Sequence, residues 1–199
     1  MNGMTRWTGK DGVVVIGAFG ATNGVMNGGA PESALPDWSE DPDALTAHVR
    51  DYWIAMGVAP CQILRAQVNA GVGSDGTHQR TILLERGLDQ IPIAESRAFA
   101  RFDNADQSTS EGFLFPSIPP EVVAAARAFR DQIADPSGLA AYKSKLPANA
   151  QGPGGLTIHH SAISFVPNAP FKAAVTWDVL VSSAVQSYDI NGMPVASTW

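Results

Sequence analysis

The chain is poor in sulfur and in charge. Its 199 residues include one cysteine, and only 16% are charged. A single cysteine excludes an intrachain disulfide, although secreted proteins of this size manage without one, so the compartment stays open. Cys61 is read as a half-buried core thiol at a helix end rather than as a nucleophile. Thirteen Lys and Arg face nineteen Asp and Glu, for a net charge of −6, and the basic residues are scattered. Binding to a phosphate backbone needs a clustered basic face, so no nucleic-acid partner is expected. Long hydrophobic runs are also missing. Residues 13–18 are too few to span a bilayer or to form a signal-peptide core, and no membrane span is expected.

Catalytic and metal-binding motifs are equally scarce. There is no HExxH and no CxxC. Gly71, Gly73 and Gly76 match GxGxxG, but a dinucleotide site needs a helix next, and here the β-rich TILLE follows. A glycine-rich hairpin turn fits better. The pair His159-His160 lies in a strand, where adjacent side chains point to opposite faces. One histidine should face the core and one the solvent, which disfavours a shared metal. Asp103, Asn104, Asp106 and Glu111 lack the ligand alternation of a calcium loop and read as a solvated turn. No catalytic residue, metal or cofactor is assigned.

What is present is a hydrophobic content of 45%, enough for a packed core. Residues 1–12 read as a loose end, residues 13–19 (VVVIGAF) as a buried strand, and residues 21–37, rich in Gly, Asn and Pro, as a loop. A helix is predicted over 43–56. Asp41 can cap it and Pro42 suits its first turn, while Leu45, Val49, Tyr52, Trp53 and Met56 form one apolar stripe. Strands are predicted over 63–72, 80–85, 91–102 and 112–115, with turns at 72–77, 87–90 and 103–110.

A second helix begins at Pro120-Glu121, with Val122, Val123, Ala126, Phe129 and Ile133 on its apolar face. Asp135-Pro136 breaks it and caps a shorter helix over 137–145. Strands follow over 156–166, 173–181 and 184–188. Asn191-Gly192 signals a tight turn before a short strand at Val195. Trp53 and Trp177 are read as core residues, whereas Trp38 and Trp199 lie outside clear elements and are candidates for a contact surface.

The order helix, sheet, helix, sheet carries a resemblance. The segment RTILLERGLDQIPIAESRAFARFDNADQSTSEGFLFPSI resembles the fungalysin/thermolysin propeptide module. Gly87 and Ile91-Pro92-Ile93 stand at its bend, and residues 103–112 at its Asp-rich hairpin; Leu88-Asp89-Gln90 are extra. PPEVVAAARAFRDQIAD, AAVTWDVLV and SYDINGMPV resemble the helix, strands and closing turn of a PepSY unit. The resemblance covers residues 42–195.

It implies an α+β, cystatin-like fold, a helix packed on a curved antiparallel sheet, with two similar units in tandem. The organisation is then an arm over 1–41 and units over 42–118 and 119–199. The resemblance implies a non-catalytic pro-region of an exported bacterial protein, its signal peptide absent from this chain. A metallopeptidase is the implied partner, and inhibition the implied effect. The candidate binding surface is Trp38, His160 and Trp199.

Two alternatives stay open. One is an enzyme or small-molecule binder with a pocket between helix and curved sheet, drawing on His160, Asp178, Tyr188 and Arg101. The other is a structural assembly subunit whose N-terminal third pairs with another chain. The oligomeric state is not set by the sequence.

Overall fold

The computed structural model describes residues 5–9, 12–16, 22–26, 41–55, 58–74, 76–104, 108–161 and 171–196. The protein is α+β, with α-helices set on a mostly antiparallel open sheet. The chain divides into two compact units. One comprises Met1–Asp89 and Ser96–Ser117, the other Gln90–Glu95 and Ile118–Trp199.

The first unit contains β1 (Thr5–Gly9), β2 (Gly12–Ile16), β3 (Thr22–Met26), α1 (Pro42–Ala55), β4 (Ile63–Val72), β5 (His78–Leu88), the later part of β6 (Ile91–Asp103) and β7 (Ser108–Leu114). Its strands lie in the order β4-β5-β6-β7-β3-β2-β1. The expected loose end over 1–12 and loop over 21–37 are corrected at Thr5–Gly9 and Thr22–Met26, which are β1 and β3; residues 1–4, 10, 11, 21 and 27–37 lie outside the described residues. Both are five-residue strands, too short to show alternation. Their pairing comes from neighbours, β2 beside both and β7 beside β3.

The first helix follows its local signals. Asp41 Oδ1 accepts from the backbone N–H of Asp43 at 2.9 Å and of Ala44 at 3.4 Å, as an N-cap should. Leu45, Val49 and Trp53 are buried on one stripe. They pack with Val58, Ile82, Leu84, Ala98, Ala100 and Phe102 into one core. Each large apolar side chain so buried contributes roughly 1.5–3 kcal/mol. Phe99 and Arg101 point away from that core, as the alternation predicts. The glycine-rich segment from Gly71 to Gly76 is the β4–β5 hairpin, with Gly76 at φ +84°. Cys61 is exposed in the short 3-10 turn Pro60–Gln62, not half-buried as expected.

The bend expected at 87–90 narrows to two residues. β5 runs on through Gly87 to Leu88, and Asp89 and Gln90 both take positive φ, 49° and 67°. Two consecutive residues at positive φ turn a chain with the twist of a hairpin.

The second unit contains the start of β6, α2 (Pro120–Ala134), α3 (Pro136–Lys143), β8 (Gly154–His160), β9 (Ala173–Val181), β10 (Ala184–Tyr188) and β11 (Pro194–Val195). Asp135 ends α2 and caps α3: its Oδ2 accepts from the N–H of Ser137 at 3.0 Å and of Gly138 at 3.1 Å. Ile93 pairs with Ile158 in parallel, so this sheet is not wholly antiparallel as expected. The reason is connectivity: β7 first runs back antiparallel to β6, and α2 and α3 then intervene before β8, which enters beside β6 in the same direction as β6. β8, β9, β10 and β11 pair antiparallel in sequence.

Opposed residues share a face, so Ile158 with Val175 and Leu156 with Trp177 look one way, and Thr157 with Thr176 the other. Tyr142 of α3 packs edge-on against Phe129 and Trp177, and its hydroxyl donates to the Asp189 carbonyl at 2.8 Å. The predicted turn at Asn191-Gly192 is present. Gly192 has φ +85°, and Asp189 Oδ1 accepts from the N–H of Asn191 and Met193.

Candidate functional site

Trp38 and Trp199, two of the three residues expected on a contact surface, lie outside the described residues. The third, His160, ends β8 fully buried. Its Nδ1 donates to the Ser161 carbonyl at 2.8 Å, and its ring lies 5.5 Å from that of Phe171. It is a packed strand-end residue and offers no outward surface. Among the other candidates, Tyr188 donates its hydroxyl to Gln186 Oε1 at 2.8 Å, and Arg101, in the first unit, bonds Gln79. Asp178 is engaged by His159, not by His160.

The neighbouring histidine is the centre of the most connected polar cluster. Adjacent strand residues do face opposite ways, but His159 is only 9% exposed, so the expected solvent-facing histidine is corrected. Its Nδ1 donates to Glu95 Oε1 at 2.7 Å and its Nε2 to Asp178 Oδ2 at 2.9 Å. Glu95 sits where the buried alternation of β6 slips by one residue, from Ile91 and Ile93 to Ser96, Ala98 and Ala100. The β6–β8 ladder has one residue pair, and Glu95 Oε2 takes up the His160 backbone N–H at 3.0 Å. A carboxylate thus replaces a strand partner. Thr176 Oγ1 donates to Asp178 Oδ1 at 2.9 Å, across the strand from the imidazole.

The electrostatics follow from this geometry. Burial alone would lower the His159 pKa, but the hydrogen bonds and charges of Asp178 and Glu95 outweigh it and raise the value to about 9. Burial alone would raise both carboxyls. Hydrogen bonds from His159, joined by the His160 N–H at Glu95 and by Ser187 and Thr176 at Asp178, hold them below the usual range. At neutral pH the cluster is a carboxylate–imidazolium–carboxylate row. Both ring nitrogens carry protons directed at carboxylates, so the ring has no lone pair with which to accept a proton. This arrangement cross-links β6, β8 and β9. Among the described residues, no three His, Cys, Asp or Glu side chains converge to hold a metal ion.

A second buried charge lies in the first unit. Arg86 is 6% exposed. Its Nε donates to Gln62 Oε1 at 2.9 Å and its Nη1 to the Pro116 carbonyl at 2.6 Å, with the guanidinium 5.0 Å from the Phe115 ring centre. Burial lowers its pKa to about 10, which still leaves a cation at neutral pH.

The third feature is a surface. β4 pairs with β5 on one edge, and among the described residues no strand pairs with its other edge. Ala66 and Val68 stand opposite Leu84 and Ile82, so Ala66, Val68, Ala70 and Val72 continue the core-facing side of the sheet, which Ile63 joins opposite Arg86, while Leu64 sits in the bulge between Ile63 and Arg65. Yet Val68 is 38% exposed and Val72 68%. Arg65, Gln67, Asn69 and Gly71 occupy the opposite face. Beside the start of this strand lies a groove of about 480 Å³, walled by α1 through Thr46, Arg50 and Ile54 and by β4 through Ile63, Leu64 and Ala66.

Sequence reasoning missed Glu95 and Arg86, and it singled out the His159-His160 pair without finding that His159 is buried between two carboxylates. The available signal was a charge inside an otherwise buried strand, Asp178 within VTWDVLV, because such a charge demands a partner. No protein-family model, no curated protein and no solved structure matches this chain.

Proposed function

We propose that the chain is a non-catalytic binding module of the pro-region type, part of an exported bacterial protein, and that it grips a partner polypeptide along the open edge of β4. The observation that carries this reading is the edge itself: ten residues long, without proline, with an apolar face left exposed. An unpaired strand presents a row of N–H and C=O groups to an extended segment, and alternate side chains set the specificity. The saturated His159 supports a structural rather than a catalytic use of the polar cluster. On the same reading each unit is a cystatin-like helix-on-sheet element, repeated in tandem, and the partner is a thermolysin-type metallopeptidase.

The test is to titrate the module into such a peptidase and follow hydrolysis of a small peptide substrate. Stoichiometric loss of activity is expected. Val68→Lys, which places a charge on the exposed strand, should weaken the effect about tenfold, or 1.4 kcal/mol. Unaltered activity at saturating module sinks the inhibitory reading.

The groove between α1 and β4 favours a second reading, a small polar ligand held among Asp43, Thr46, Arg50 and Asp51. It predicts chemical-shift changes confined to α1 and residues 63–66 when a panel of small zwitterions is added.

A further inference from the structure

We infer that the open edge of β4 pairs with the same edge of a second copy of this chain, antiparallel about a two-fold axis. The inference rests on the reading of β4 as a recognition edge and names the occupant of that edge when no other partner is bound. An antiparallel pair of identical strands has its two-fold perpendicular to the sheet, so residues that meet point to the same side. Matching residues must therefore share a face, which restricts the register.

With Val68 on the axis, every meeting is compatible. Val68 meets its own counterpart and Ala66 meets Ala70 on the apolar face. Gln67 meets Asn69 and Arg65 meets Gly71 on the polar face. The seven residues from Arg65 to Gly71 are matched, and the irregularity in β4 between Ile63 and Arg65 lies just outside them.

Charge points the same way. Arg65 is the one charged residue of β4. Strands that avoid edge pairing carry central lysines, inward charges or prolines. Here the sole charge lies near one end, ion-paired with Glu85 at 2.6 Å. In the pair it sits opposite a glycine, with the two Arg65 side chains about 20 Å apart along the strands at roughly 3.4 Å per residue. No like charges meet. Arg65 opposite an aspartate or glutamate would suit a foreign acidic segment equally well, but β4 offers that segment a single cation, whereas it offers its own copy a full set of matched side chains. Pairing of this kind covers the edge proposed for a partner polypeptide, so a partner and the second copy compete.

The experiment is sedimentation equilibrium of the full chain across the micromolar range, with Val68→Lys and Val68→Glu variants alone and mixed. A reversible dimer is expected for the unaltered chain, and monomers for each variant alone. The equimolar mixture should dimerise again, since the axis brings Lys against Glu. Hydrogen exchange needs no substitution: amides of β4 should gain protection as concentration rises. An unaltered chain that stays monomeric overturns the inference, as does a Val68→Lys chain that still dimerises or a mixture that stays monomeric. A monomer that nevertheless inhibits the peptidase in a Val68-dependent way removes the dimer and keeps the binding edge. A dimer whose dissociation releases no inhibitory activity keeps the dimer and removes the pro-region reading.

Discussion

At the scale of single residues, His159 is the position with the largest consequence. Its replacement by Gln removes the cation from between two part-buried carboxylates, and a glutamine cannot donate to both at their present separation. Loss of about 2–3 kcal/mol is expected, read as a lower urea midpoint with an unchanged slope. The same cluster shapes the pH profile. The His159 pKa rises from its ordinary 6.5 to about 9 in the folded chain. Its contribution is therefore complete below pH 6.5 and falls away as pH climbs to 9. Glu95 and Asp178 are depressed, so theirs is complete above the ordinary carboxylate range and lost as pH falls through their folded values. Stability should peak between about pH 5 and pH 6.5 and decline on both sides, and the His159→Gln chain should lose the alkaline decline. Tyr142→Phe gives a smaller effect: loss of the hydroxyl bond to the Asp189 carbonyl should cost about 1 kcal/mol in the same denaturation measurement. The cluster was not legible in the sequence, because His159 and Glu95 lie 64 positions apart and no period links them. Asp178, a charge within a mostly buried strand, is the local sign that a partner is needed, but it was expected only as a pocket residue.

At the scale of elements, what could be read was what chemistry fixes locally. Asp41-Pro42 starts α1, Asp135-Pro136 separates α2 from α3, and Asn191-Gly192 turns the chain before β11, each as the residues indicate. Asp135→Ala should therefore weaken α3 by removing its cap, seen as reduced amide protection in Pro136–Lys143. Two turns lack glycine at their centres, and there the places were legible from the flanking strands, 173–181 and 184–188 and the bend within 87–90, but the backbone conformation was not. Asp89-Gln90 and Ser182-Ser183 adopt positive φ because the strands on either side hold them there, a force absent from the local sequence. β1 and β3 were missed for the same reason. β8, expected over 156–166, starts two residues earlier at Gly154 and runs to His160, whose N–H is taken by the carboxylate of Glu95, while residues 162–166 lie outside the described residues. β4 has the bounds its residues predict, but nothing in them announced that one of its edges has no strand partner among the described residues.

At the scale of the whole molecule, the division of the chain does not follow its order. Gln90–Glu95 belong with Ile118–Trp199, although the rest of β6 belongs with the first unit. A fragment of residues 118–199 lacks Ile93, which pairs with Ile158, and Glu95, which holds His159. It should melt at lower temperature than a fragment of residues 90–199, by circular dichroism, and it should lack the alkaline shift of the imidazole, by NMR titration. The interleaving also bears on biosynthesis. Glu95 is made 64 residues before His159, so at about 5–20 residues per second the carboxylate waits roughly 3–13 seconds for its imidazolium. During that interval the growing chain holds a strand that its first unit does not use in full, and the ribosome, rather than the finished fold, is what separates Glu95 from its mate.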